Sequence, residues 1–160
     1  MSKVVKISLN HYKNCYNLLC NDNGDLHYFK KLGWSLNQFK VQISKYNNYG
    51  LGIFNDNLLE GFLLGNVLTI EKQIEYEILL LYVTTNKRRL GHATKLLDCI
   101  FRISNINILK KIYLEVASNN LHAIKLYKKN KFLQIGIRKN YYFFENKKID
   151  AYCFEKLIND

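Results

Sequence analysis

The chain has 160 residues, the size of one domain, and 48% of them are hydrophobic, enough to bury a substantial interior. No apolar run reaches the length of a membrane span, and Met1-Ser2-Lys3-Val4-Val5-Lys6 lacks the long apolar stretch of a secretion signal, so the expectation is a soluble, cytoplasmic protein. A net charge of +11 and a pI of about 9.5 suit an anionic partner, but absent proline and abundant Lys, Asn, Ile and Tyr match AT-biased coding and make that charge a weak guide.

In chain order, Val4 to Leu9 reads as a short strand. Asn10 opens a helix through Tyr12, Tyr16 and Leu19 that stops near Asn21-Asp22-Asn23-Gly24. A second helix starts at Ser35, a good N-cap, and carries Leu36, Phe39, Val41 and Ile43. Tyr49 to Phe54 and Leu58 to Leu68 are strands around the turn residues Asn55-Asp56-Asn57. Gln73 to Val83 begins with alternation and becomes continuously apolar from Ile78, as a strand does on entering the buried middle of a sheet. Strand and helix then alternate. Ala93, Leu96, Leu97, Ile100, Phe101 and Ser104 share one helical face; Lys111 to Val116 is a strand; Asn119 to Lys129 is a helix with Ala123, Ile124 and Tyr127 inward. Phe132 to Ile137 and Ile149 to Leu157 are the last strands, with a loop from Arg138 to Ile149 between them. With no repeat, linker or low-complexity tail, residues 1–160 read as a single α/β domain, a mixed, mostly antiparallel sheet with helices on both faces.

Cys15, Cys20, Cys99 and Cys153 form no C-x-x-C pair, and buried, inert thiols are expected. His11, His27, His92 and His122 share no ligand spacing, so no metal is expected.

The informative stretch is Leu81-Tyr82-Val83-Thr84-Thr85-Asn86-Lys87-Arg88-Arg89-Leu90-Gly91-His92-Ala93, where an apolar strand ends, a basic loop follows and a helix starts. A helix N-terminus offers free N–H groups and the positive end of a dipole, so it binds phosphate. Small Gly91 and Ala93 let a pyrophosphate approach the backbone, and Arg88 and Arg89 add charge. Such a step alone is common, and an ordinary loop with a basic helix cap explains it equally well.

The chain downstream adds more. R-x-x-G-x-A at Arg88, Gly91 and Ala93, after L-x-V, resembles the acetyl-CoA loop of the GNAT acetyltransferases. The resemblance continues through Leu114-Glu115-Val116, Asn120, Ala123-Ile124, Leu126-Tyr127 and Phe132. Ile137-Arg138-Lys139-Asn140-Tyr141-Tyr142 is similar to the I-R-[RK]-x-Y-Y segment of the ribosomal-protein-alanine N-acetyltransferases (RimI type), as are Gly33-Trp34-Ser35 and Glu77-Ile78-Leu79 upstream. The likeness spans Trp34 to the C-terminus.

This resemblance implies a GNAT fold and transfer of an acetyl group from acetyl-CoA to an N-terminal α-amine, with the N-terminal alanine of a ribosomal protein as acceptor. It implies that Leu81, Tyr82 and Val83 bind the pantetheine arm through their backbone. Arg88, Arg89, Leu90, Gly91, His92, Ala93 and Thr94 would cradle the pyrophosphate, and Asn120 would touch the cofactor. Glu115 would take the amine proton, directly or through water, and Tyr127 would protonate the departing thiolate; Tyr141 and Tyr142 would line the acceptor groove. On the residues alone, Glu115 stands in an otherwise apolar strand, where burial favours a carboxylate's protonated form, while Glu75 and Glu77 compete for the role of base. Tyr127 alone would read as core packing.

The chain departs from the family pattern at Thr85, where Pro is usual, and at Lys131, where a Gly usually ends the helix; Asn130 is the expected substitute cap. Competing readings are a GNAT acting on a lysine or small amine, and a basic RNA- or ribosome-binding module with a degenerate acetyl-CoA site. On the main reading nucleic acid is met only indirectly and no membrane is involved.

Overall fold

A computed structural model describes residues 1–22, 25–103 and 109–158, side chains 25–27 and 103 excepted. Seven strands, β1 (Lys3–Lys6), β2 (Asn48–Asn55), β3 (Leu58–Ile70), β4 (Gln73–Val83), β5 (Leu109–Ala117), β6 (Leu133–Phe144) and β7 (Lys147–Leu157), form one sheet in the order β1-β2-β3-β4-β5-β7-β6. Only β4 and β5 pair in parallel; every other neighbour is antiparallel. The mixed, mostly antiparallel α/β architecture is the expected one.

Among the described residues five α-helices accompany the sheet: α1 (Tyr12–Cys20), α2 (Asp25–Lys31), α3 (Leu36–Ser44), α4 (His92–Ile103) and α5 (Leu121–Lys129). Apolar side chains on alternate sides of the strands feed two cores, because strand side chains point to opposite faces. Leu96, Leu97 and Ile100 of α4 and Ile124 and Tyr127 of α5 pack with Leu63, Ile78, Ile112, Leu114 and Phe154. Cys15 and Leu19 of α1 and Phe39 and Ile43 of α3 pack with Phe62, Leu64, Leu80 and Tyr82. Helices therefore cover both faces. Ser35 caps α3 as its sequence suggests, accepting a hydrogen bond from the Gln38 N–H at 3.1 Å, whereas Leu36 and Val41 of that helix are exposed. Ser104, expected on the inward face of α4, lies outside the described residues.

Three boundaries differ from the sequence reading. β1 ends at Lys6, and Leu9 opens a short 3-10 turn. Helix α2 occupies a segment that carries no clear period. The stretch expected as a loop from Arg138 is strand: β6 runs on to Phe144 and makes a long hairpin with β7, so Tyr141 and Tyr142 are strand residues. A bulge between Arg138 and Tyr142, with Asn140 at φ 56°, breaks the alternation that would have marked the strand.

The end of α5 also corrects an expectation. Asn130 keeps φ negative, at −86°, and Lys131 itself takes the left-handed conformation, at φ 64°. Phe132 N–H donates to the Tyr127 carbonyl and Lys131 N–H to the Lys128 carbonyl, both at 3.0 Å. With the Phe132 and Tyr127 rings 5.6 Å apart, this is a complete Schellman motif with its hydrophobic contact, built on a residue that bears a Cβ. A side chain in that region costs about 1–2 kcal/mol, part of which a glycine would return through its own entropy. Lys131→Gly should therefore raise stability by about 0.5–1 kcal/mol, read as a rise of a few degrees in the thermal midpoint by circular dichroism.

Candidate active site

The parallel pairing of β4 and β5 ends at Ile78 opposite Leu114. Beyond that point β4 continues to Val83 along β3, and β5 continues to Ala117 along β7, without pairing to each other. A bulge sets this divergence. Leu64 of β3 faces Leu80 and the next residue, Gly65, faces Ile78, so Leu79 is the extra residue that bends β4. Gly65 makes this possible, since a Cβ there would overlap the Glu77 carbonyl oxygen and the Tyr76 ring. The result is a cleft in the middle of the sheet, with Leu81-Tyr82-Val83 on one wall and Glu115-Val116-Ala117 on the other.

The β4–α4 loop closes one end of that cleft. Gly91 stands at φ 82° and Arg89 at φ 67°, and Lys95 N–H makes the first bond of α4, to the Gly91 carbonyl at 2.9 Å. The backbone N–H groups of residues 89–94 find no acceptor among the described residues. Six consecutive donors at the positive end of a twelve-residue helix have the geometry to receive an anion. The expected residues Arg89, Leu90, Gly91, His92, Ala93 and Thr94 all belong to this stretch. Arg88 is turned differently: its Nε donates to the Val83 carbonyl at 2.9 Å, its guanidinium lies over the Tyr82 ring, and its Nη2 is 3.9 Å from Asp22.

Two buried carboxylates grip this loop. Asp22, 8% exposed, accepts hydrogen bonds from the Tyr82 hydroxyl and from Thr85 N–H, the latter at 2.7 Å. Burial opposes its charge, but the Tyr82 and Thr85 hydrogen bonds outweigh it and hold its pKa below the ordinary value. Glu60, 5% exposed, meets Lys87 Nζ at 2.8 Å, His92 Nε2 at 2.7 Å and the Ser2 hydroxyl at 3.1 Å. Its carbonyl accepts Thr84 N–H at 3.1 Å. The Lys87 ammonium, with His92 and Ser2 behind it, prevails over burial and brings Glu60 down to about 2.

On the opposite wall, Glu115 does not sit in the apolar surround that its strand suggests. Arg138 Nη1 lies 2.8 Å from one of its carboxylate oxygens and 3.0 Å from the other. The Cys153 thiol points at the same carboxylate from 3.9 Å, and the Arg138 guanidinium stacks 3.8 Å above the Tyr141 ring. Tyr141 and Tyr142 are edge to face at 4.9 Å. Burial first, and then the neighbouring Tyr28, Glu115 and Tyr141, push the Tyr142 phenol up. Burial, helped by Tyr142, raises Tyr127. The contacts from Glu115 to Arg138, from Arg138 to Tyr141 and from Tyr141 to Tyr142 bring three of the expected residues, Glu115, Tyr141 and Tyr142, into one neighbourhood. The Tyr127 ring is buried against Phe132 and Phe154, yet its hydroxyl makes no hydrogen bond among the described residues and is not sealed off, because every fully buried side-chain oxygen there has a partner. Asn120 caps α5, its Oδ1 accepting from Ala123 N–H at 3.2 Å.

Glu75 pairs with Lys111 at 3.2 Å and Glu77 accepts from Asn66 at 3.4 Å, both on the paired part of β4 before the cleft opens. The thiols are only partly as expected: all four are free and Cys15 is buried, its pKa raised to about 12 by that burial, but Cys20 is exposed and Cys99 and Cys153 are half-buried. No group of three or more His, Cys, Asp or Glu among the described residues could hold a metal. No helix among them is long and apolar enough to cross a membrane.

Comparison with known proteins agrees with this geometry. The sequence profile of the acetyltransferase (GNAT) family matches residues 8–132. The chain belongs to this family. This acetyltransferase uses acetyl-CoA as its acetyl donor. Its fold is similar to that of Arabidopsis thaliana NAA60 bound to a bisubstrate analogue, with a TM-score of 0.84 at 18% identity over 99% of each chain. It is equally similar to the ribosomal-protein-S18-alanine N-acetyltransferase of Escherichia coli, with a TM-score of 0.84 at 19% identity over 100% of this chain and 96% of that one. Ard1 from Thermoplasma volcanium follows at 0.72 and 20% identity, over 99% of each chain. No curated protein matches the sequence.

The depressed pKa of Glu60 has a consequence for acid stability. A carboxyl at about 2 when folded, against its ordinary 4.5 when unfolded, binds fewer protons in the folded protein than in the unfolded one between those values. Its contribution is complete above about pH 5 and is lost as pH falls toward 2. Acid unfolding followed by circular dichroism should show the wild type losing stability across that window. Glu60→Gln, less stable at neutral pH, should lose less there.

Proposed function

We propose that this acetyltransferase acts on the α-amine of a protein N-terminus, with an N-terminal alanine, as on a ribosomal protein, the favoured acceptor. The observation that carries the reading is the contact chain of Glu115, Arg138, Tyr141 and Tyr142 on the β5 side of the cleft. Proteins of similar fold include the alanine N-acetyltransferase of Escherichia coli, which supports the same acceptor class.

In this reading the donor lies along the cleft. Leu81, Tyr82 and Val83 offer backbone to the pantetheine arm, the N–H groups of residues 89–94 bind the pyrophosphate, with Arg88 at the foot of the loop, and Asn120 flanks the cofactor at the start of α5. Glu115 takes a proton from the acceptor amine, and attack on the thioester carbonyl gives a tetrahedral oxyanion. As that collapses, the C–S bond breaks and the sulfur leaves as a thiolate. Tyr127, protonated at neutral pH like any phenol, gives its proton to that thiolate. Tyr141 and Tyr142 line the approach of the peptide. An α-amine ionises near pH 8 and a lysine side chain near 10.4, so a carboxylate base handles the α-amine at smaller cost.

The test is acetyl transfer, read by mass spectrometry, to a peptide with a free N-terminal Ala and to one with a blocked N-terminus and an internal Lys. Transfer to the first alone is expected, with Glu115→Gln slowed by about 10²-fold or more. Transfer to the blocked peptide would assign a lysine acceptor instead.

A further inference from the structure

We propose that Asp22 and Glu60 are positioning residues that hold the 84–94 loop in its anion-binding form before acetyl-CoA arrives, and that Lys87 and His92 serve Glu60 rather than the pyrophosphate. The proposal rests on the loop being the pyrophosphate cradle.

A loop of this kind has a difficulty of its own. The N–H groups of its second half, residues 89–94, have no acceptor among the described residues, so hydrogen bonds from those groups do not hold that half in place. Between the Arg88 N–H bond to Thr85 and the first bond of α4, the described backbone makes no hydrogen bond through its N–H groups. Two positive φ angles add strain, one of them at a residue with a Cβ, Arg89. The restraint has to come from elsewhere, and it comes from two side chains distant in sequence. Asp22, between α1 and α2, fixes the start of the loop through Thr85 N–H at 2.7 Å and faces Arg88 Nη2 at 3.9 Å. It also ties down the Tyr82 hydroxyl near the end of β4. Glu60, on β3, fixes the middle through Lys87 at 2.8 Å and the first residue of α4 through His92 at 2.7 Å.

A carboxylate beside a phosphate site would ordinarily repel the ligand. Here Lys87 and His92 lie on Glu60 and Arg88 lies near Asp22, so the charges meet one another and the backbone donors remain available. Both carboxylates are almost fully buried, which makes their geometry firm and their removal felt. The ligand then meets a formed cradle and does not bear the entropy of ordering it.

The experiment measures CoA binding by calorimetry, steady-state kinetics and thermal melting for the wild type, Asp22→Asn, Glu60→Gln and the half-exposed Lys87→Gln. Gly91→Val, which sets a β-branched side chain at φ 82°, reports on the cradle itself. Each carboxylate variant should raise the Kd of CoA and the KM of acetyl-CoA about five- to tenfold, with kcat at saturation within about twofold and the peptide KM unmoved. Lys87→Gln should follow Glu60→Gln more weakly, so the test survives even if a carboxylate variant folds poorly. Lower melting temperatures with an unchanged Kd for CoA would show ordinary fold stabilisation and overturn the proposal. Should Gly91→Val also bind CoA normally, the cradle reading would fall with it; if Gly91→Val alone loses binding, the cradle stands and only the bracing is refuted.

Discussion

Everything in the site follows from the point at which β4 and β5 stop pairing. Two parallel strands in the middle of a sheet would normally satisfy each other's backbone along their whole length. Here they part after Ile78 and Leu114, and the inner edges of Leu81–Val83 and Glu115–Ala117 face a cleft. The bulge at Leu79 and the missing Cβ at Gly65 bend one strand away, while pairing with β7 holds the other in place. The cleft opens where α4 begins, so an extended ligand in it meets backbone edges along its length and a helix N-terminus at its end. A charged, elongated thioester such as acetyl-CoA suits both.

The two walls solve different electrostatic problems. In the proposed reading the cofactor wall meets the anion with backbone N–H groups, while Lys87 stays engaged with Glu60 and Arg88 lies 3.9 Å from Asp22. In the same reading the acceptor wall holds a carboxylate near an aromatic surface: Arg138, itself stacked on Tyr141, anchors Glu115 there. Arg138 and Tyr141 come from the same strand, β6; Arg138 still pairs with Ala151 of β7, and the bulge that follows leaves Tyr141 outside the regular pairing. The irregularity that hid this strand in the sequence also shapes the rim of the site.

Much of this was legible in the residues themselves. The change from alternation to an unbroken apolar run in β4 and the small residues at Gly91 and Ala93 mark local features, which a short window can hold, whereas Glu115 and Tyr127 were singled out by the family resemblance. What escaped notice depends on contacts between distant segments. Asp22 lies in a turn-like run, Asn21-Asp22-Asn23-Gly24, where an acid is unremarkable, and nothing local says that it will reach Thr85. Glu60 carried a fainter sign, a charge among Leu59, Gly61, Phe62 and Leu63 in the buried part of its strand. Helix α2 is only seven residues long, too short for its period to show. At Lys131 propensity favours glycine but context prevails: the Phe132–Tyr127 contact and two backbone bonds hold a lysine there instead.

The most direct test of the account is hydrogen exchange at the loop amides, followed by NMR as acetyl-CoA is added. The N–H groups of residues 89–94 have no acceptor among the described residues and should exchange rapidly in the free protein. On binding they should slow markedly, together with those of Leu81–Val83, while β1 and β2 stay unchanged. Saturating acetyl-CoA that leaves residues 89–94 exchanging at their free rates would contradict the placement of the donor in this cleft.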